Sequence, residues 1–225
     1  TVLHKMLELI AKGAVKNEDD FNRMFDEQVK SVENNLQEQD YDFFIPLQKN
    51  VKDFGMKKIL LKKHLRTISE QIAKPSGVKY YSEKWFESKD KFIAGKIDLV
   101  IEAGQETEII DFKTGAITQD VLDDAGEIFS EVKEEYKEQL KLYAYLYFES
   151  IGKFPTELSL VDLAKQKFSV SFSQTECNSI FEEAKKLLDT TNASISTGTF
   201  SANPTEANCK YCLYRPACSY YLKFI

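Results

Sequence analysis

"GKIDLVIEAGQETEIIDFKTG", residues 95–115, is the stretch whose reading decides the fold. It contains two apolar runs of strand length separated by Gly104-Gln105. Ile109, Ile110 and Phe112 read as a buried strand, with residues 97–101 as its partner. A glycine at the first central position of a two-residue loop suits a type II′ hairpin turn. That turn places Asp98 opposite Asp111 and Lys96 opposite Lys113. Strand side chains alternate, so Asp98, Asp111 and Lys113 fall on one face. Ile97, Leu99, Ile101, Ile110 and Phe112 fall on the other, which is expected to be the core face. The hairpin is therefore expected to bury one side and present two acids and a lysine on the other. A slip of one residue would dissolve this arrangement.

Facing carboxylates destabilise a strand pair. A divalent cation between them removes the cost, and oxygen donors suit Mg²⁺ or Mn²⁺. The neighbouring lysine can orient a water or neutralise developing negative charge. A single Asp or Lys would read as a solvated strand position. Three together, between apolar strands, read as a site.

The remainder of the chain sets limits. Its 225 residues, 43% hydrophobic, suffice for one large domain. A net charge of −6 argues against binding nucleic acid by bulk charge, while leaving room for a local basic groove. No apolar run approaches a membrane span and no signal-peptide pattern is present. The sequence opens at Thr1 inside a predicted helix, which reads as a processed chain or a fragment of something larger. Three of the four cysteines lie within ten residues, 209–218, near the C-terminus, a metal-site pattern rather than a secreted disulfide framework. A cytoplasmic setting is the expectation.

Along the chain, "TVLHKMLELIAKG" has helical spacing, with Gly13 as a C-cap. Residues 17–74 read as a charged helical insertion. Within it, Ile59, Leu60, Leu65, Ile68 and Ile72 are expected to form an inner stripe, ending at Pro75-Ser76-Gly77. His64 reads as a surface residue. Lys57, Lys58, Lys62, Lys63 and Arg66 are a candidate phosphate-contacting surface. Residues 75–190 are expected to form the core: strands at about 78–87, 92–102 and 106–112, helix over 118–151, a hairpin over 157–173 and a helix over 174–190. Residues 191–225 read as a Ser/Thr/Asn-rich, cysteine-bearing tail. The expected class is α/β, with a mixed, partly antiparallel sheet flanked by helices.

"GKIDLVIE" followed by "IIDFKTG" resembles the paired motifs of the PD-(D/E)xK nuclease superfamily, here as D…DxK. The similarity is to its RecB-like branch, which includes helicase–nuclease subunits of the AddB kind and CRISPR-associated adaptation exonucleases. "LHKMLE" resembles that branch's histidine motif, "QLKLYAYLY" its Gln-x3-Tyr motif and "CKYCLYRPAC" its iron–sulfur motif. The resemblance covers nearly the whole chain apart from residues 17–74. It implies a restriction-endonuclease-like fold and a Mg²⁺- or Mn²⁺-dependent deoxyribonuclease. His4, Asp98, Asp111 and the carbonyl of Phe112 would hold the metal. Lys113, Gln139 and Tyr143 would complete the site. DNA would be the substrate, and a helicase domain or subunit the partner.

Gln139 and Tyr143 lie four apart, on one helical face, beside core candidates Leu140 and Tyr147. Glu8 reads as a solvated position one turn past His4, and Glu87 is an acid ahead of the strands that is not counted among the metal ligands. Cys209, Cys212 and Cys218 form C-x2-C-x5-C, for which zinc is the default from spacing alone. The resemblance instead implies a [4Fe–4S] cluster in an intact parent. Its fourth cysteine would lie upstream of the histidine helix, so the cluster is expected to be incomplete here. Cys177 reads as a buried small hydrophobe. Other readings of the chain are a nuclease-like fold that only binds DNA or a partner, and a zinc-stabilised interaction module.

Overall fold

The computed structural model describes residues 2–72, 77–122, 126–200, 202–210 and 212–221. The chain divides into two compact units, Thr1–Glu182 and Glu183–Ile225.

The first unit is built on a five-stranded mixed sheet. Its strands are β1 (Val78–Glu87), β2 (Ala94–Ala103), β3 (Glu106–Lys113), β6 (Glu157–Asp162) and β7 (Lys167–Ser169), in that spatial order. β3 and β6 run parallel and the other pairs antiparallel. The parallel step requires a crossover. It is supplied by a second sheet, β4 (Thr118–Leu122) with β5 (Ile128–Val132), and then by helix α5 (Glu134–Ile151). The β2–β3 pairing has the expected register, with Leu99 opposite Ile110 and Ala103 opposite Glu106. Gly104 has φ of +63°, and Gln105 is not in the left-handed region. That combination suits a type II′ rather than a type I′ turn.

One expectation about this hairpin is corrected. Leu99, Ile110 and Phe112 do lie in a core, packed against Met6, Leu7 and Ile10 of helix α1 (Val2–Ala11). The face bearing the acids is covered too. Val100 and Ile109, on the parity of Asp98 and Asp111, are fully buried against Leu140, Ala144 and Tyr147 of α5, and Ile97, expected on the Leu99 face, is buried with them instead. A sheet with a parallel step is normally covered on both faces. The acids therefore sit at the end of a sandwiched sheet rather than on an open face.

Residues 118–132 form the β4–β5 hairpin and not the expected helix. Val121, Ile128, Phe129 and Val132 favour extended backbone. Helix begins only at Glu134, with Glu134 and Glu135 in its first turn, and ends at Gly152 with φ of +84°.

The helical insertion contains α2 (Glu18–Glu38), a short 3₁₀ turn (Asp42–Phe44), α3 (Leu47–Asn50) and α4 (Phe54–Ile72). Asn17 caps α2 by accepting a hydrogen bond from the Asp20 amide at 2.8 Å. The inner side of α4 is Leu61 and His64, not Ile59, which is 57% exposed. The side chains of residues 65–72, including Leu65, Arg66, Ile68 and Ile72, and the break at residues 75 and 76, lie outside the described ones. His64 is buried, edge-on to Phe112 and with a ring nitrogen 3.2 Å from the Leu163 carbonyl. Its neighbours in sequence are basic, but α4 turns this position toward the sheet. Two lysines of the basic run hold α4 to α2. Lys58 pairs with Asp26 over the Phe25 ring, and Lys62 pairs with Glu18 over the Phe21 ring.

Helix α6 (Gln174–Thr197) extends past residue 190, where the tail was expected to begin. The hydroxyls of Thr190, Thr191, Ser196 and Thr197 donate to carbonyls one turn back, so side chains that compete with a helix are spent within it. In the first unit, Cys177 on this helix is fully buried, as expected, and burial pushes its thiol up to about 11. In the second unit α7 (Glu206–Lys210) and a 3₁₀ turn (Arg215–Ala217) bracket the cysteine loop. Cys209, Cys212 and Cys218 carry free thiols there, with Cys212 exposed.

Candidate active site

The backbone ladder of β2 and β3 stops at Leu99–Ile110. In the fork beyond it, the Asp98 Oδ2 accepts a hydrogen bond from the Phe112 amide at 2.8 Å, replacing the next strand-to-strand bond. Asp111 lies on β3 beside it, only 4% exposed. Lys113 Nζ is 2.7 Å from Asp111 Oδ2, yet off the hydrogen-bonding direction, so that buried oxygen has charge compensation without a directed bond. Lys113 also donates to Gln139 Oε1 at 2.6 Å, and Gln139 Nε2 donates to the Tyr143 hydroxyl at 2.9 Å. His4 Nδ1 is 3.9 Å from Asp98 Oδ2. The structure thus brings His4, Asp98, Asp111, Lys113, Gln139 and Tyr143 to one end of the sheet.

Burial, and then the charge of Asp111, raise the Asp98 carboxyl to about 7. Burial also raises Asp111, opposed by Lys113. Burial lowers His4, so its imidazole is mainly neutral at neutral pH and able to act as a ligand. Burial raises the Tyr143 phenol. Titratable groups displaced by burial and by each other in one cluster mark a candidate functional site.

Three contributors escaped the sequence reading. Glu83 of β1 falls opposite Asp98, between the pairs Ser82–Leu99 and Lys84–Ile97, with φ of +53°. Its side chain is 12% exposed and ion-paired with Lys96, and its charge is felt by His4, Asp98 and Tyr143. A non-glycine residue in that conformation is strained, as residues at functional sites often are. No local signal sets its register, because the connection from β1 to β2, residues 88–93, is longer than the two-residue loops whose turn type fixes pairing. Glu87, the acid named from sequence, is exposed at the end of β1. Tyr136 of α5 places its ring 4.4 Å from Lys113 Nζ. Gly95 of β2 allows α5 to approach, since a Cβ there would lie 2.8 Å from the Tyr143 ring. Glu8, expected to be solvated, is largely covered and bridged by Lys5 and Lys12.

The donors suit a hard divalent ion: a buried and a half-buried carboxylate, the buried one with an oxygen lacking a directed hydrogen bond, and a neutral imidazole. Among the described residues, no three His, Cys, Asp or Glu side chains converge as a finished ligand set. The Phe112 amide and Lys113 hold the carboxylates instead.

The model of the PD-(D/E)XK nuclease superfamily matches residues 1–219. The chain belongs to this superfamily. Its members typically use divalent metal ions. Among solved structures, the chain resembles a "Putative exonuclease" from Eubacterium rectale, with a TM-score of 0.50 at 9% identity, covering 94% of this chain and 74% of that one. At that identity the likeness shows the fold alone, a mixed sheet flanked by helices of restriction-endonuclease kind. SSO0001 is a more distant structural match, with a TM-score of 0.36 at 15% identity, covering 75% of this chain and 79% of that one. No curated protein matches the chain significantly. No helix among the described residues is long and apolar enough to cross a membrane.

Proposed function

We propose that this chain is a divalent-metal-dependent deoxyribonuclease domain, acting as an exonuclease within a larger helicase–nuclease that serves DNA recombination or repair in the cytoplasm. The observation that carries the catalytic part is the fork where Asp98, Asp111 and Lys113 meet under Gln139 and Tyr143. Membership of a nuclease superfamily supports it.

Asp98 and Asp111 would hold Mg²⁺ or Mn²⁺, with His4 and the Phe112 carbonyl as further donors. Such an ion, when bound, would supply a water of lowered pKa and charge stabilisation for the phosphodiester. Lys113 carries a cation beside Asp111, positioned to orient the attacking water or to neutralise charge growing on the phosphate. Gln139 fixes the lysine by accepting its hydrogen bond, and Tyr143 fixes Gln139. Glu83 adds negative charge that favours a cation at this end of the sheet. The C-terminal cysteines would serve a structural metal or cluster in the parent protein, not the hydrolysis.

Cleavage of linear and circular DNA by the purified chain, with Mg²⁺ or Mn²⁺ and with chelator, tests this reading. Metal-dependent loss of linear substrate with circular DNA spared is the expected result. DNA or partner binding with no cleavage under any divalent ion would mark an inactive nuclease-like module instead.

A further inference from the structure

A cleft of about 310 Å³ opens between the helical insertion and the site, walled by Val2, Leu3, Val51, Phe54, Lys57 and Thr114 among others. That volume lies within the usual range of ligand pockets. Two of its lining residues are sequence neighbours of site residues. Leu3 precedes His4 on α1, and Thr114 follows Lys113 at the end of β3. Phe25 and Phe54, packed edge to face at 5.6 Å, line one side. Apart from Thr114 and Lys57 the lining is apolar, and Lys57 is its one charged residue. Lys58 and Lys62 are committed to Asp26 and Glu18, whereas among the described residues no carboxylate pairs with Lys57.

An apolar slot with aromatic walls, an uncompensated cation and continuity with a phosphodiester-cleaving centre suits a flat apolar group carrying an adjacent anion. That is the chemistry of a nucleotide with its base unstacked. We propose that this cleft seats one nucleobase of the strand being cut, with Lys57 against its phosphate. The inference rests on the nuclease reading of the neighbouring site. It makes single-stranded DNA or a frayed end the substrate class, because a base paired in a duplex cannot reach a recessed cleft without being extruded. It also gives the helical insertion a role in substrate choice.

The test uses the full chain and labelled single-stranded oligonucleotides, each carrying one abasic nucleotide at a successive position. Binding is read by fluorescence anisotropy with chelator present, and cleavage separately with Mn²⁺. Losing one stacked base is expected to weaken wild-type binding roughly tenfold at a single position. Val51→Trp, which fills the cleft from its exposed rim, should weaken binding of the intact strand similarly and abolish the abasic effect. Lys57→Gln, a change on a partly exposed side chain, should weaken binding several-fold and reduce its salt dependence. An abasic series without effect, an equal abasic effect in wild type and Val51→Trp, or no oligonucleotide binding would overturn the proposal. Cleavage without any abasic effect would sink the cleft reading and leave the nuclease reading standing. An abasic effect without cleavage under any divalent ion would do the reverse.

Discussion

The carboxylate of Asp98 takes the backbone N–H of Phe112 at 2.8 Å, at the point where the β2–β3 ladder ends. A side chain thereby replaces a strand-to-strand bond, and the two strands part around a pair of acids. Asp98 is held by its partner strand's backbone, while Asp111 is held by the charge of Lys113. The two carboxyls therefore differ in environment although they face each other, and that difference underlies the first two predictions.

Asp111→Asn and Lys113→Ala should each lower metal-dependent DNA cleavage by about a hundredfold or more, on the scale of removing one charge-stabilising group from an active site. Circular dichroism should show both variants folded. Asp111→Asn should also melt no lower than wild type in chelator, because it removes a buried carboxylate facing another. Retained cleavage in both variants would show that the chemistry lies elsewhere.

Stability of the metal-free protein should fall as pH rises toward neutrality. Asp98 has its folded-state pKa raised to about 7, against 3.8 for an ordinary aspartate. Between these values the native state binds the proton more tightly than the unfolded state does. Its contribution is thus fully present below about pH 4 and is lost as pH climbs through 7. The full difference corresponds to at most about 4 kcal/mol. Chelated wild type should show this slope in denaturant melts across pH 4–8, Asp98→Asn should flatten it, and added Mn²⁺ should reduce it. A slope identical in wild type and Asp98→Asn would assign the titration to other groups.

Gly95→Ala should damage catalysis by pushing on helix α5 where it covers the site. Its new Cβ would lie 2.8 Å from the Tyr143 ring, so the tyrosine must move and release Gln139, which holds Lys113. A stability loss of about 1–3 kcal/mol is expected for such overpacking. The rate should drop roughly tenfold through misplacement of Lys113. Tyr143→Phe, which keeps the packing and removes only the hydroxyl, should lower kcat with little change in melting temperature. If Gly95→Ala costs stability but Tyr143→Phe leaves kcat intact, the Gln139–Tyr143 hydrogen bond has no part in positioning the lysine.

Thiol labelling should separate the four cysteines. Cys177 is fully buried with its thiol raised to about 11, whereas Cys209, Cys212 and Cys218 are partly or fully exposed. In native, metal-stripped protein, Cys209, Cys212 and Cys218 should react with a thiol reagent, and Cys177 only after denaturation. Rapid native labelling of Cys177, located by peptide mass, would contradict its burial. Protection of the other three by added zinc or iron would show that the C-x2-C-x5-C loop binds metal.

Much of the site was legible because it is local. Asp98 and Asp111 are joined by a hairpin whose two-residue turn and period-two alternation determine which residues face each other. Gln139 and Tyr143 are one helical turn apart, so their shared face follows from helix geometry. The charged character of residues 57–66 misled for the opposite reason. Composition does not say which turn of α4 faces the sheet, and His64 is buried against Phe112 while Ile59 faces solvent. The β4–β5 hairpin is not legible in the sequence, because its short runs have no length or period strong enough to choose a state without a partner strand.

The sequence by itself determined the hairpin register, the pairing of two acids with a lysine, and the alternation of elements that makes a mixed sheet. Each of these follows from backbone geometry over a few neighbouring residues. Only the tertiary structure decided that Glu83 stands opposite Asp98, that Gly95 admits Tyr143, that Tyr136 covers Lys113, and that the helical insertion walls a cleft beside the site. These relations join residues on different elements that no short turn holds in register. They are settled by which faces can be buried together, a property of the packed chain rather than of any one segment.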